Sequence, residues 1–381
     1  MTTTEQVRLA EWTTLHLGGP AARFTAAATV SDLVDAVALA DRDSEPVLVL
    51  GGGSNLVVAD AGFPGVVVRA ASDGLQFAAV DGAVDVTAAA GQDWDELVRW
   101  CLAEGLSGVE CLSGIPGSAG ATPIQNVGAY GQEVAETIVS VQAYDRAAGL
   151  VVLLGPEDLG FGYRTSMFKR QAAAASQNGE ERSGPPGCNG EARTVVAATG
   201  RFVVLQVTFR LRVSPLSAPV RYAELGRLLG VEEGGQVPLA DARGAVLELR
   251  RGKGMLLDAA DPDSRSAGSF FTNPVVPTAR IDALHERLGA SARIPHWPAG
   301  AGQVKLSAAW LIEHAGFSKG FGLADDPAGA RISTKHTLAL TNPGGATTAS
   351  LIRLARAIRD GVRSEFGVEL ANEPTLVGVT L

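Results

Sequence analysis

Between Cys111 and Gln132 the chain reads CLSGIPGSAGATPIQNVGAYGQ, a stretch of small residues, hydroxyls and amides without one charged side chain. Such a segment suits backbone wrapping of a pyrophosphate, because no carboxylate competes with the anion for the N–H groups. A structureless loop this long is usually functional or disordered, and this one is too apolar for disorder. Just upstream, Asp93 to Glu104 predicts a helix: Asp93 and Glu96 form an N-terminal capping pattern, Leu97, Trp100 and Cys101 share a face, and Gly105 stops it. Further back, Val47 to Leu50 and Gly65 to Arg69 are apolar runs expected as buried strands. The region from about 25 to 110 therefore reads as mixed α/β.

The first of these strands ends in Leu50-Gly51-Gly52-Gly53-Ser54-Asn55-Leu56, a second place where backbone can approach a ligand closely. It is not a Walker loop, since no Gly-Lys-Ser/Thr follows, and Leu56 breaks the dinucleotide GxGxxG pattern. A glycine run after a strand is more often a tight turn, so plain turn chemistry stands beside phosphate binding here.

Downstream, Phe202 to Val213 alternates with period two. Val203, Leu205, Val207, Phe209, Leu211 and Val213 are expected on one face, and Gln206, Thr208, Arg210 and Arg212 on a wet one. Ala172 to Arg193 is poor in large apolar residues and reads as a mobile surface insertion. Helices are expected near Leu306 to Ala315, closed by Gly316, and along Leu351, Leu354, Ala355, Ile358, Val362 and Phe366. No internal repeat points to a solenoid or propeller.

Of 381 residues 46 are glycine, well above the roughly 7 per cent of an average protein, but 19 prolines and no G-X-Y period exclude collagen. A 46% hydrophobic content supplies a core, and the length suits two or three domains. The net charge of −9 disfavours nucleic-acid and anionic-membrane partners, so an anionic small molecule would need a locally positive pocket. No apolar run is long enough for a membrane span and the start lacks signal-peptide features, so a cytoplasmic location is expected. The odd set Cys101, Cys111 and Cys188 argues against a disulfide framework, reading as two half-buried thiols and one loop thiol. The histidines His16, His285, His296, His314 and His336 show no metal-binding spacing, and no metal is expected.

Two further segments could carry chemistry. Gly162-Tyr163-Arg164-Thr165-Ser166-Met167-Phe168-Lys169 mixes an aromatic, two cations and hydroxyls, although an exposed strand end would look the same. In Ser266-Ala267-Gly268-Ser269-Phe270-Phe271-Thr272-Asn273-Pro274 the GxSxG elbow of a hydrolase is absent. A serine there could instead donate a proton, because its hydroxyl stays protonated at neutral pH.

Taken in order, VLGGGSNLVV, SGIPGSAGATPIQNVGAYGQEV, GYRTSMFK, AGSFFTNP and KLSAAWLIEHAGF resemble the UDP-N-acetylenolpyruvoylglucosamine reductase family of FAD flavoenzymes. The likeness runs from Thr14-Leu15-His16-Leu17-Gly18-Gly19 to Asn372-Glu373. It implies an α+β fold with a two-subdomain FAD-binding unit of the vanillyl-alcohol-oxidase type and a C-terminal α+β substrate domain. The implied division is 1–70, joined by 365–381; 71–214, carrying the insertion 172–193; and 215–364 for the UDP-sugar.

The resemblance also implies non-covalent FAD held by Gly51, Gly52, Gly53, Ser54 and Asn55, and by Ile115, Pro116, Gly117, Ser118, Gly120, Ala121, Thr122, Ile124 and Gly128. NADPH would reduce the flavin, leave, and be replaced by UDP-N-acetylglucosamine enolpyruvate. By the same likeness, Ser269 is the proton donor, Arg164 and Glu373 stabilise the intermediate, and Tyr163, Tyr222, Lys253 and Asn273 bind substrate. Tyr222 suggests the branch whose tyrosine loop covers the substrate diphosphate. The spacing from Lys253 to Ser269 is longer than the family pattern, and Pro374 stands where that pattern has valine. Alternatives of other classes are a different FAD-dependent oxidase on the same fold and a catalytically silent nucleotide-binding module. The first would be favoured by a histidine in a glycine loop for covalent flavin attachment, and none is there.

Overall fold

The computed structural model describes residues 3–171, 199–289 and 291–381. The segment Ala172 to Arg193, with Cys188, lies outside them.

The N-terminal sheet has the order Thr3–Arg8, Pro20–Ala27, Phe63–Ala70, Val47–Leu50, antiparallel in the first pair and parallel in the others. The apolar runs of Val47–Leu50, at the sheet edge, and of Phe63–Ala70, inside it, fit strands covered on both faces. Leu33 and Val37 of helix Val30–Arg42 meet Val47, Val66 and Val68 on one side, and Leu9, Phe24 and Phe63 meet Leu48, Leu50 and Val67 on the other. That helix starts where Thr29 and Asp32 each accept the other's backbone N–H, satisfying two of the orphan donors of the first turn. Beyond the glycine loop, Leu56–Val58 pairs in parallel with Thr375–Val377, which brings the end of the chain back to its beginning.

A second sheet is antiparallel throughout, in the order Leu150–Leu154, Ile138–Asp145, Phe202–Val213, Ala83–Ala89, Leu75–Val80. Helix Trp94–Ala103 covers it, capped by the Asp93 carboxylate accepting from the Glu96 N–H. Trp94, Leu97, Val98 and Cys101 face inward, whereas Trp100, expected on that face, is only partly buried and stacks on Phe77 at 4.1 Å.

The central strand departs from its expected alternation. Gln206 pairs with Gln142 but Val204 with Ala143, so Leu205 is bulged. The extra residue swaps the faces: Val207, Phe209 and Leu211 join the core of the second sheet, while Val203 and Leu205 enter the core of the first. One strand thus ties two cores together. Val213, at its end, is exposed rather than inward. Cys101 and Cys111 are fully buried rather than half-buried, and burial pushes both thiols up to about 12, which leaves them inert.

The third part has two three-stranded sheets packed with helices Ala279–Leu288, Ala308–His314 and Thr348–Phe366. The last presents Leu351, Leu354, Ala355, Ile358, Val362 and Phe366 to the core, as their spacing predicts, and ends at Gly367 with φ +63°. Helix Ala308–His314 begins later than Leu306 because that residue closes the strand Gln303–Leu306 and Ser307 caps the helix. Helices Ala223–Leu229 and Leu239–Gly252 pack separately, through Leu225, Ala245 and Val246, on Cys111 at the start of the long loop. No helix among the described residues is long and apolar enough to cross a membrane.

Candidate active site

The two glycine loops face each other across a cavity of about 440 Å³. Their approach is close: a Cβ on Gly52 would lie 2.5 Å from the Cα of Gly117, and one on Gly53 (φ +63°) would lie 1.8 Å from the Trp12 carbonyl oxygen. Ser54 Oγ donates to the Pro116 carbonyl at 2.8 Å and Asn55 Nδ2 to Gln125 Oε1 at 2.8 Å, so side chains stitch the loops together at their mouths. The backbone N–H groups of Gly52, Gly53, Ser54, Ile115, Gly117 and Ser118 donate to no described residue. A cradle too tight for a Cβ and lined with spare N–H donors fits the diphosphate of a dinucleotide cofactor such as FAD. Of the residues expected to hold FAD, all but Gly120 line this cavity. Gly120 packs on Ala90 instead, and its N–H donates to the Ala90 carbonyl at 2.9 Å.

Among the described residues, four cations, Arg164, Lys169, Arg250 and Lys253, and a single carboxylate, Glu373, share the wall of the cavity. This is the locally positive pocket that an acidic protein needs to hold an anion. Arg164 sits in a tight turn at φ +53°, an unfavourable conformation for a side chain of this kind. Its Nη2 donates to the Gly128 carbonyl at 2.6 Å, and its Nε forms an ion pair with Glu373 Oε1 at 3.2 Å without the alignment of a hydrogen bond. Lys169 Nζ donates to the Glu373 carbonyl at 3.2 Å. Burial raises the Glu373 carboxyl above its ordinary value despite the opposing pull of Arg164 and Lys169, and burial likewise lowers the Lys169 ammonium.

Ser269 ends strand Ser266–Ser269 and lines the same cavity, and its hydroxyl is bonded to no described residue. The next carbonyl along, that of Phe270, accepts from the Glu373 N–H at 2.8 Å, so the serine and the glutamate are carried on tied backbones. At the other end, Tyr222 and Tyr130 meet edge to face at 5.4 Å, and the Lys253 ammonium lies 5.4 and 5.8 Å from the Tyr130 and Tyr222 ring centres.

Two expected substrate residues are not on this wall. Tyr163 lines a separate cleft beside Lys305, whose ammonium is 4.5 Å from its ring centre, and its ring also carries the Arg164 guanidinium at 5.5 Å, so it borders the main cavity from behind Arg164. Asn273 Oδ1 caps the N-terminus of helix Ala308–His314 by accepting from the Ala308 N–H at 2.9 Å. Conversely, the cavity includes residues that the sequence reading did not single out. Arg250 is buried, and its Nε and Nη2 donate to the carbonyls of Gly114 at 3.0 Å and Met255 at 2.8 Å. His336 is lowered to about 4 by burial and then by Lys253 and Lys319, and is neutral at pH 7.

The model for the C-terminal domain of UDP-N-acetylenolpyruvoylglucosamine reductase matches residues 261–377, and that for an FAD binding domain matches residues 21–155. A UDP-N-acetylenolpyruvoylglucosamine reductase from Thermobifida fusca is 53% identical over 98% of both chains. One from Saccharopolyspora erythraea is 54% identical over 98% of this chain and 95% of its own. The crystal structure of UDP-N-acetylenolpyruvylglucosamine reductase from Thermus caldophilus aligns with TM-score 0.60 at 26% identity, covering 98% of this chain and 99% of that one.

Proposed function

The chain belongs to the UDP-N-acetylenolpyruvoylglucosamine reductase family of peptidoglycan precursor synthesis, and on that premise we propose that it reduces UDP-N-acetylglucosamine enolpyruvate to UDP-N-acetylmuramate in the cytoplasm, using NADPH. The observation that carries this reading is one cavity in which Arg164, Lys169, Ser269 and Glu373 stand beside the paired glycine loops. We assign residues 1–70 with 365–381 and residues 71–214 to FAD binding, and 215–364 to the substrate, a division supported by the pairing of Thr375–Val377 with Leu56–Val58.

When bound, FAD supplies the hydride and is restored by NADPH. Hydride addition to the methylene carbon of the enolpyruvyl group builds negative charge on its carboxylate. Arg164, locked on the Gly128 carbonyl, presents a fixed guanidinium where that charge grows. Ser269 delivers a proton from Oγ to the carbon bearing the carboxylate, being free of any competing acceptor among the described residues. Glu373 would repel the developing charge if it stood alone as an anion. Burial favours its neutral form, and Arg164 and Lys169 balance it when ionised, so it can position both cations with little electrostatic cost.

The purified protein is expected to be yellow with non-covalently bound FAD, and NADPH is expected to bleach it under anaerobic conditions. A colourless protein that cannot be reconstituted with FAD contradicts the reading.

A further inference from the structure

The cations of the cavity are not equally available. Arg164 and Lys169 are committed to Glu373 and to backbone carbonyls, and Arg250 is buried against the carbonyls of Gly114 and Met255. Lys253 has a different kind of partner, the carboxylate of Glu224, with Nζ to Oε2 at 2.6 Å. Glu224 stands two residues after Tyr222, in the first turn of helix Ala223–Leu229, while Lys253 follows the end of helix Leu239–Gly252. Those two helices pack on each other through Leu225 and Val246. The carboxylate of this ion pair is also the more accessible one: the Glu224 side chain keeps 37% of its exposure against 14% for Glu373, while the two cations, Lys253 at 23% and Arg164 at 21%, are alike.

We propose that Glu224 is a specificity-determining residue that occupies the Lys253 ammonium until the diphosphate of the substrate displaces it. The inference rests on the reading of Lys253 as a substrate-anion ligand. A single lysine–carboxylate contact in partial contact with water is weak and exchanges readily for a stronger anion. A diphosphate carries more charge and more acceptor oxygens than one carboxylate, so it wins the ammonium, while weaker anions are refused by a cation already paired. The exchange leaves the Tyr130 and Tyr222 rings beside the ammonium as the floor and lid of the diphosphate position. The Tyr222 ring is held edge to face on Tyr130 at 5.4 Å, so Glu224 can turn away about its own side-chain torsions without releasing Tyr222.

The test is calorimetric titration of the flavin-loaded, full-length protein with UDP, in wild type, Glu224→Gln, Glu224→Ala, Lys253→Met and the double variant Glu224→Gln with Lys253→Met. Removing the competing charge is expected to tighten UDP binding by about two- to fivefold in both Glu224 variants, the size of a weak ion pair. Lys253→Met is expected to weaken binding, and Glu224→Gln to have no effect in that background. The melting temperature serves as the control, since a merely structural role for Glu224 would lower it and would not tighten UDP. Unchanged or weaker binding in Glu224→Gln, or equal tightening without Lys253, overturns the proposal while leaving the site intact. Wild-type affinity in Lys253→Met overturns the placement of the diphosphate and the inference with it.

Discussion

Ser269→Ala is expected to slow reoxidation of the reduced enzyme by UDP-N-acetylglucosamine enolpyruvate by roughly 10² to 10⁴, the range for a lost general acid. Bleaching of the flavin by NADPH should proceed at the wild-type rate. The contrast follows from position. Ser269 is half-buried at the end of a short strand and its hydroxyl bonds no described residue, so removing Oγ breaks no structural contact. The neighbouring link from the Glu373 N–H to the Phe270 carbonyl belongs to the backbone and survives the substitution. If both half-reactions slowed together, Ser269 would be acting on the flavin or on the fold rather than on the proton.

The second large effect is expected in the cradle. Gly52→Val places a side chain where even a Cβ would lie 2.5 Å from the Cα of Gly117, forcing the glycine loops apart. Overpacking of this kind predicts a loss of FAD affinity of about 10- to 100-fold. The effect should fall on the cofactor, because the backbone groups of Gly52 and Gly117 line the cavity rather than a core. Gly244→Ala is the matched control: an added Cβ there meets nothing within 4 Å, and that protein should stay yellow. Equal FAD affinity in the two variants would show that the loops do not enclose the diphosphate.

The lining of the cavity was in part legible in the sequence. The uncharged run from Cys111 to Gln132 favours ligand binding and the glycines from Gly51 to Gly53 allow either a turn or a phosphate; the structure sets the two segments face to face across one cavity. What escaped the sequence depends on relations between distant segments. Arg250 stands next to Arg251 in the same helix, and only packing decides that the first is buried and the second exposed. His336 has no histidine-rich context, and it reaches the cavity because its segment passes Lys253. Tyr163 and Arg164 are adjacent in sequence and stay in contact, guanidinium over ring at 5.5 Å, yet only Arg164 lines the main cavity while Tyr163 lines the cleft behind it. The bulge at Leu205 is invisible in a perfect alternation of apolar residues, because register belongs to the pair of strands and not to one of them.

The central claim, that one cavity joins the flavin to the enolpyruvyl substrate, is tested most directly by single-turnover reoxidation. The enzyme is reduced anaerobically with one equivalent of NADPH, freed of NADP⁺ and mixed with UDP-N-acetylglucosamine enolpyruvate while flavin absorbance is followed. The account predicts full return of the oxidised flavin spectrum with formation of one equivalent of UDP-N-acetylmuramate. Reduced flavin that persists in the presence of this substrate, and is reoxidised only by oxygen, would contradict it.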